Sequence, residues 1–67
     1  MDIRRRLARN LKEMREDRGW SQEELADEAG IHRTYVSGLE RAVRNPTITV
    51  VERFAKALKT TASELLK

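Results

Sequence analysis

Residues 20–41 read WSQEELADEAGIHRTYVSGLER, and that stretch contains two helix starts separated by one stop. Ser21 with Glu24 forms an S-x-x-E capping box, which opens a helix. Leu25, Ala26 and Ala29 follow at helical spacing and give that helix a narrow face of small residues. Gly30 ends it at once, because glycine accepts the left-handed conformation of a helix terminus. A second helix must start near His32, with Ile31 just before the cap and Val36 at the fourth helical residue, the two positions of a hydrophobic staple. Val36 and Leu39 then point inward. The spacing therefore predicts two short helices joined by the tight turn AGIH at 29–32, a helix-turn-helix over about 21–41.

The flanks extend the same pattern. Ile3, Leu7, Leu11 and Met14 recur at intervals of four, four and three, one apolar stripe of a helix over about 2–18 that Gly19 terminates. Asn45-Pro46 breaks the chain, since proline disfavours helix at the residue before it. Thr47 caps a fourth helix whose inward set is Ile48, Val51, Phe54, Ala55 and Leu58. Thr61-x-x-Glu64 opens a short fifth helix ending in Leu65 and Leu66. Strand-like alternation, repeats and low-complexity segments are absent. The expectation is an all-α chain of five helices, one domain over 1–67.

Composition narrows the class. A chain of 67 residues buries only about 60% of the surface its unfolded form exposes, so its stability margin is small. Cysteine is absent, which excludes disulfides and thiolate metal sites and fits a cytoplasmic setting. No apolar run approaches membrane-spanning length, and MDIRRRLARN has arginines without the apolar stretch of a leader. Net charge is +3, and its distribution is uneven. Residues 19–30 carry Glu23, Glu24, Asp27 and Glu28 with no base, whereas 31–45 carry Arg33, Arg41 and Arg44 against Glu40 alone. A basic segment of this kind suits nucleic acid, although solvated surface charge is the commoner origin of any single cluster, so charge alone does not decide.

In a helix-turn-helix the second helix enters the DNA major groove, with its N-terminal residues at base edges. Here those residues are Arg33, Thr34 and Tyr35. Arginine can donate two parallel hydrogen bonds to guanine; threonine offers a hydroxyl or a methyl group, and tyrosine can reach a phosphate or sugar. Ser37 and Gly38 share that face one turn later. Glycine inside a helix costs about 1 kcal/mol relative to alanine. Two readings explain its presence: the helix sits deep in the groove at Gly38, or Gly38 allows a close crossing with another helix.

GWSQEELADEAGIHRTYVSGLERAVRNPT resembles the Xre/Cro-type helix-turn-helix of phage repressors and related bacterial regulators. The likeness continues through ITVVERFAKALKTTASELL, and RTYVSGLER is also similar to restriction–modification controller proteins. The resemblance implies a lambda-repressor-like fold and a bacterial or phage transcriptional regulator that binds double-stranded DNA. It implies that Gln22 contacts a phosphate at the start of helix 2, and that Arg33, Thr34 and Gly38 face bases. It places Arg41, Arg44 and Asn45 in a loop beside the backbone, and it pairs Arg15 with Glu40 as a buried ion pair, where the residues alone would leave both on the surface. Three positions depart from the family pattern. Ala42 and Lys59 stand where glycine is usual, so the turn after helix 3 is expected to differ, and His32 is a weak cap.

Other chemistry has little support. His32 is the only histidine, no triad can be assembled, and the acids of helix 2 lack the loop carbonyls of a cation site, so neither catalysis, cofactor nor metal is expected. An alternative is a protein-interaction module such as the antitoxin of a toxin pair, with a protein partner. A homodimer is expected because readers of this type bind two half-sites. Thr60, Thr61, Leu65 and Leu66 are candidates for its contact, although the leucines could instead close the monomer core. Nothing beyond a DNA-binding domain is expected, so regulation would follow concentration and dimer assembly.

Overall fold

The computed structural model describes residues 2–67, and its element order follows from where the chain can cap a helix. Asp2 accepts a hydrogen bond from the Arg4 backbone N–H at 2.8 Å and starts α1 (Ile3–Asp17). Ser21 and Glu24 close a reciprocal capping box at α2 (Gln22–Ala29), with Glu24 N–H donating to Ser21 Oγ at 3.1 Å and Ser21 N–H to Glu24 Oε1 at 2.8 Å. α3 runs Arg33–Glu40 from a His32 cap that makes no side-chain hydrogen bond. Thr47 caps α4 (Ile48–Ala57), and Thr61 caps α5 (Ala62–Leu65). No described residue lies in a strand.

The first four helices end in one way. At each end the residue after the C-cap, or Gly30 itself, takes positive φ, and two crossed backbone bonds return to the last turn. Val43 N–H donates to Gly38 C=O and Ala42 N–H to Leu39 C=O after α3, both at 3.0 Å. Thr60 to Ala55 and Lys59 to Lys56 repeat the pattern after α4, as do Trp20 and Gly19 after α1 and Ile31 and Gly30 after α2. Glycine occupies the left-handed position twice, at φ 71° and 68°, while Ala42 at 59° and Lys59 at 54° adopt it with a side chain. The expected change of turn at Ala42 therefore does not occur. The two crossed hydrogen bonds hold the same turn against the steric cost of the Cβ.

Leu7, Leu11, Leu25, Val36, Leu39, Phe54, Leu58 and Leu65 form the centre of the core. α2 packs on α3 and α4, α1 on α3 and α5, and α4 on α5. Two side chains fasten the periphery to backbone: Asn10 Nδ2 donates to Leu65 C=O at 2.8 Å, and Arg18 Nη2 to Leu58 C=O at 2.7 Å while its guanidinium lies over Trp20. Ile48 corrects the periodic reading. It shares a helical stripe with Val51 yet is 84% exposed, and Ile3 is 50% exposed; both stand in the first turns of their helices.

Candidate nucleic-acid interface

The start of α3 is the outward edge of the helix pair. Its inner side is fixed by Val36 and Leu39, both buried, with Ile31 packed against the same core just before the cap. That anchoring turns Arg33 and Thr34 to solvent, with Tyr35 and Ser37 half-buried beside them. Gln22, Arg33, Thr34 and Ser37 line one polar cleft of about 180 Å³ between the start of α2 and α3. Four of the residues singled out in the sequence thus meet in one place. Among the described residues, none of Arg33, Arg41 and Arg44 is paired with a carboxylate, so all three keep their charge for a ligand.

Gly38 is not open to solvent, because the Arg44 side chain lies over it. A Cβ built there would stand 2.6 Å from Arg44 Cγ and 3.2 Å from Arg44 Nε, and the three atoms nearest to it all belong to Arg44. The loop after α3 returns over the helix and lays the Arg44 stem into the notch that the missing side chain leaves. The Arg44 guanidinium ends 5.4 Å from the Tyr35 ring centroid, within cation–π range. Arg41 stays at the helix end, with Nε 3.4 Å from Ser37 C=O. Asn45 is not brought to the polar cleft and instead lines an apolar one on another side.

Behind this surface Arg15 and Glu40 form a bidentate pair, Nε to Oε2 at 2.8 Å and Nη2 to Oε1 at 3.0 Å, with side chains only 11% and 4% exposed. The Glu40 hydrogen bond holds the Arg15 guanidinium pKa above its ordinary value, against the opposing effect of burial. Arg15 Nη1 also donates to Trp20 C=O at 2.7 Å, tying α1 to the approach of α2. Gln22 Nε2 donates to Glu40 Oε1 at 3.0 Å, a contact that sequence spacing did not suggest.

The four dimer candidates separate. Leu65 is fully buried and closes the monomer core, so it has no surface to offer a second chain. Thr61 is exposed, while Thr60 and Leu66 are half-buried. Leu66 instead joins Ile3, Leu7, Pro46, Ile48 and Val51 around an apolar cleft of about 150 Å³. The sequence did mark Ile3 and Ile48 as apolar; what it lacked was their exposure.

The acids Glu23, Glu24, Asp27 and Glu28 are all exposed. Among the described residues no group of three histidine or carboxylate side chains could hold a metal ion, and no helix is long and apolar enough to cross a membrane.

Residues 11–65 match the helix-turn-helix family. The chain is 46% identical over 65 residues to a hypothetical transcription factor of Neisseria meningitidis, a match covering 97% of this chain and 61% of that protein. The solved structure of a hypothetical transcription factor from Neisseria, 45% identical, superposes with a TM-score of 0.95, covering 98% of this chain and 76% of that one. Control protein C.SmaI of Serratia marcescens is 44% identical over 66 residues, 98% of this chain and 79% of its own. The restriction–modification controller C.Esp1396I, solved as a tetramer with its natural 35 base-pair operator, superposes with a TM-score of 0.85 at 32% identity, over 100% of this chain and 99% of that one. These relatives are transcriptional regulators and include controller proteins.

Proposed function

The chain belongs to the helix-turn-helix family, and from that premise we propose that it is a sequence-specific DNA-binding regulator of the controller-protein kind. It reads the major groove with α3 and binds as a homodimer. The observation that carries this reading is the polar cleft: Arg33 and Thr34, exposed on the first turn of α3, share it with Gln22 and Ser37. The operator complex of C.Esp1396I, a protein of the same fold, supports it.

The roles follow from chemistry. Arg33 forks onto guanine O6 and N7, and Thr34 takes the neighbouring base edge. Gln22, first residue of α2, meets a phosphate where the helix presents unsatisfied N–H groups and the positive end of its dipole. Tyr35 and Ser37 flank the groove. Arg41 and Arg44 follow the backbone, Arg44 from its seat on Gly38, and Asn45 continues that loop.

One domain measures 27 × 22 × 21 Å and holds one reading helix. Two half-sites about 34 Å apart therefore need two copies. We place the seam of that dimer at the apolar cleft of Ile3, Ile48 and Leu66. Selection of bound duplexes from a random pool tests the reading. A shared half-site repeated about one helical turn away is expected, and a recovered pool without any common motif contradicts it.

A further inference from the structure

The carboxylate of Glu40 serves two helices at once. Its Oε2 accepts from Arg15 Nε at 2.8 Å, while its Oε1 accepts from both Arg15 Nη2 and Gln22 Nε2 at 3.0 Å. Glu40 is almost wholly buried, yet its partner Gln22 lines the polar cleft with Arg33, Thr34 and Ser37. An amide nitrogen carries two protons. Glu40 takes one, which leaves the other proton and the Gln22 backbone N–H, which has no partner inside its helix, for a ligand.

We propose that Glu40 is a positioning residue for Gln22, holding its amide ready for a DNA phosphate, and that Arg15 makes this tolerable by neutralising the carboxylate. The inference rests on the reading of Gln22 as a phosphate contact. A free glutamine side chain must freeze several rotamers on binding, and here much of that entropy is lost on folding instead. A carboxylate without its guanidinium would place a full negative charge behind the phosphate site. The ion pair thus links α1 and α3 to the phosphate grip of α2, beyond any part it has in stability.

Duplex affinity measured for the parent, Gln22→Ala, the double variant Arg15→Met/Glu40→Leu and the triple variant tests this, using the duplex selected by the parent. Replacing both members of a buried pair with apolar residues preserves many folds, and thermal unfolding checks that here. Gln22→Ala is expected to weaken binding about tenfold, the size of one hydrogen bond to a charged group. The double change should lose a similar factor when Gln22 is present, and less than about twofold when it is added to Gln22→Ala. Losses that multiply would overturn the inference.

Should the double variant not fold, the parent alone decides. Gln22 is the only glutamine in the chain, so its side-chain amide signal in NMR is unambiguous. Restricted motion is expected, and motion as free as that of exposed Asn45 overturns the proposal. A folded parent that binds no duplex refutes the DNA reading instead, and the Gln22 amide signal still tests its hold by Glu40.

Discussion

Arg44 occupies the space that Gly38 leaves empty: its Cγ stands 2.6 Å from where a Cβ on residue 38 would lie. The interior glycine of α3 therefore serves an arginine from the following loop. That arginine crosses the outer side of the helix and rests on Tyr35, so a residue eleven positions beyond Arg33 becomes part of the same surface.

Gly38→Ala should separate binding from folding. Alanine gains about 1 kcal/mol of helix propensity, while Arg44 is exposed and can swing into solvent to relieve the clash. Thermal stability is expected to hold or rise while duplex affinity falls. Arg44→Ala should give a similar loss, and combining the two should add little. Unfolding of Gly38→Ala would show that the notch cannot yield.

The left-handed positions Ala42 and Lys59 store strain. Ala42→Gly and Lys59→Gly should each stabilise by about 1 kcal/mol, somewhat offset by the greater freedom of glycine in the unfolded chain. In a domain of this size 1 kcal/mol raises Tm by about 4–8 °C. Gly30→Ala should move Tm the opposite way by a similar amount. A calorimetric scan in which the glycine variants melt lower would show that these turns are unstrained.

Ile48, 84% exposed beside Ile3 and Leu66, gives the dimer proposal a clean variant. Ile48→Glu removes no core contact, so the monomer fold should persist while self-association weakens. Sedimentation should show a dimer for the parent at micromolar concentration and the 7.8 kDa chain for the variant. Leu65→Ala, by contrast, empties a core site and should cost about 2–5 kcal/mol. Equal association by Ile48→Glu and the parent would place the seam elsewhere.

What the sequence revealed and what it hid divide by range. Capping residues act within one turn, so Ser21, Thr47 and Gly30 marked helix ends correctly. Periodicity showed which side of α4 Ile48 lies on, but not whether another helix passes that turn. Glu40 and Gln22 are far apart in the chain, and Arg44 reaches Gly38 only because the loop doubles back. Those contacts exist once the helices are packed, and no local pattern encodes them. Ala42 is the reverse case: its departure from glycine was visible, yet backbone hydrogen bonding at the helix end outweighed the side chain.

Salt dependence separates DNA from a protein partner. If a dimer engages about six phosphates, log affinity for duplex should fall with a slope near −5 against log salt. Removing Arg41 should make that slope shallower by about one for each phosphate lost, whereas Gln22→Ala, a neutral change, should leave it unaltered. A flat response in the parent favours a protein-binding module.

The most direct test compares parent and Arg33→Ala on the selected duplex and on duplexes changed at one base pair of the half-site. Arg33 should account for about 1–3 kcal/mol of discrimination at a single guanine position, and the variant should lose that preference while retaining the others and its fold. A variant that distinguishes all the duplexes as the parent does would contradict the assignment of α3 as the reading helix.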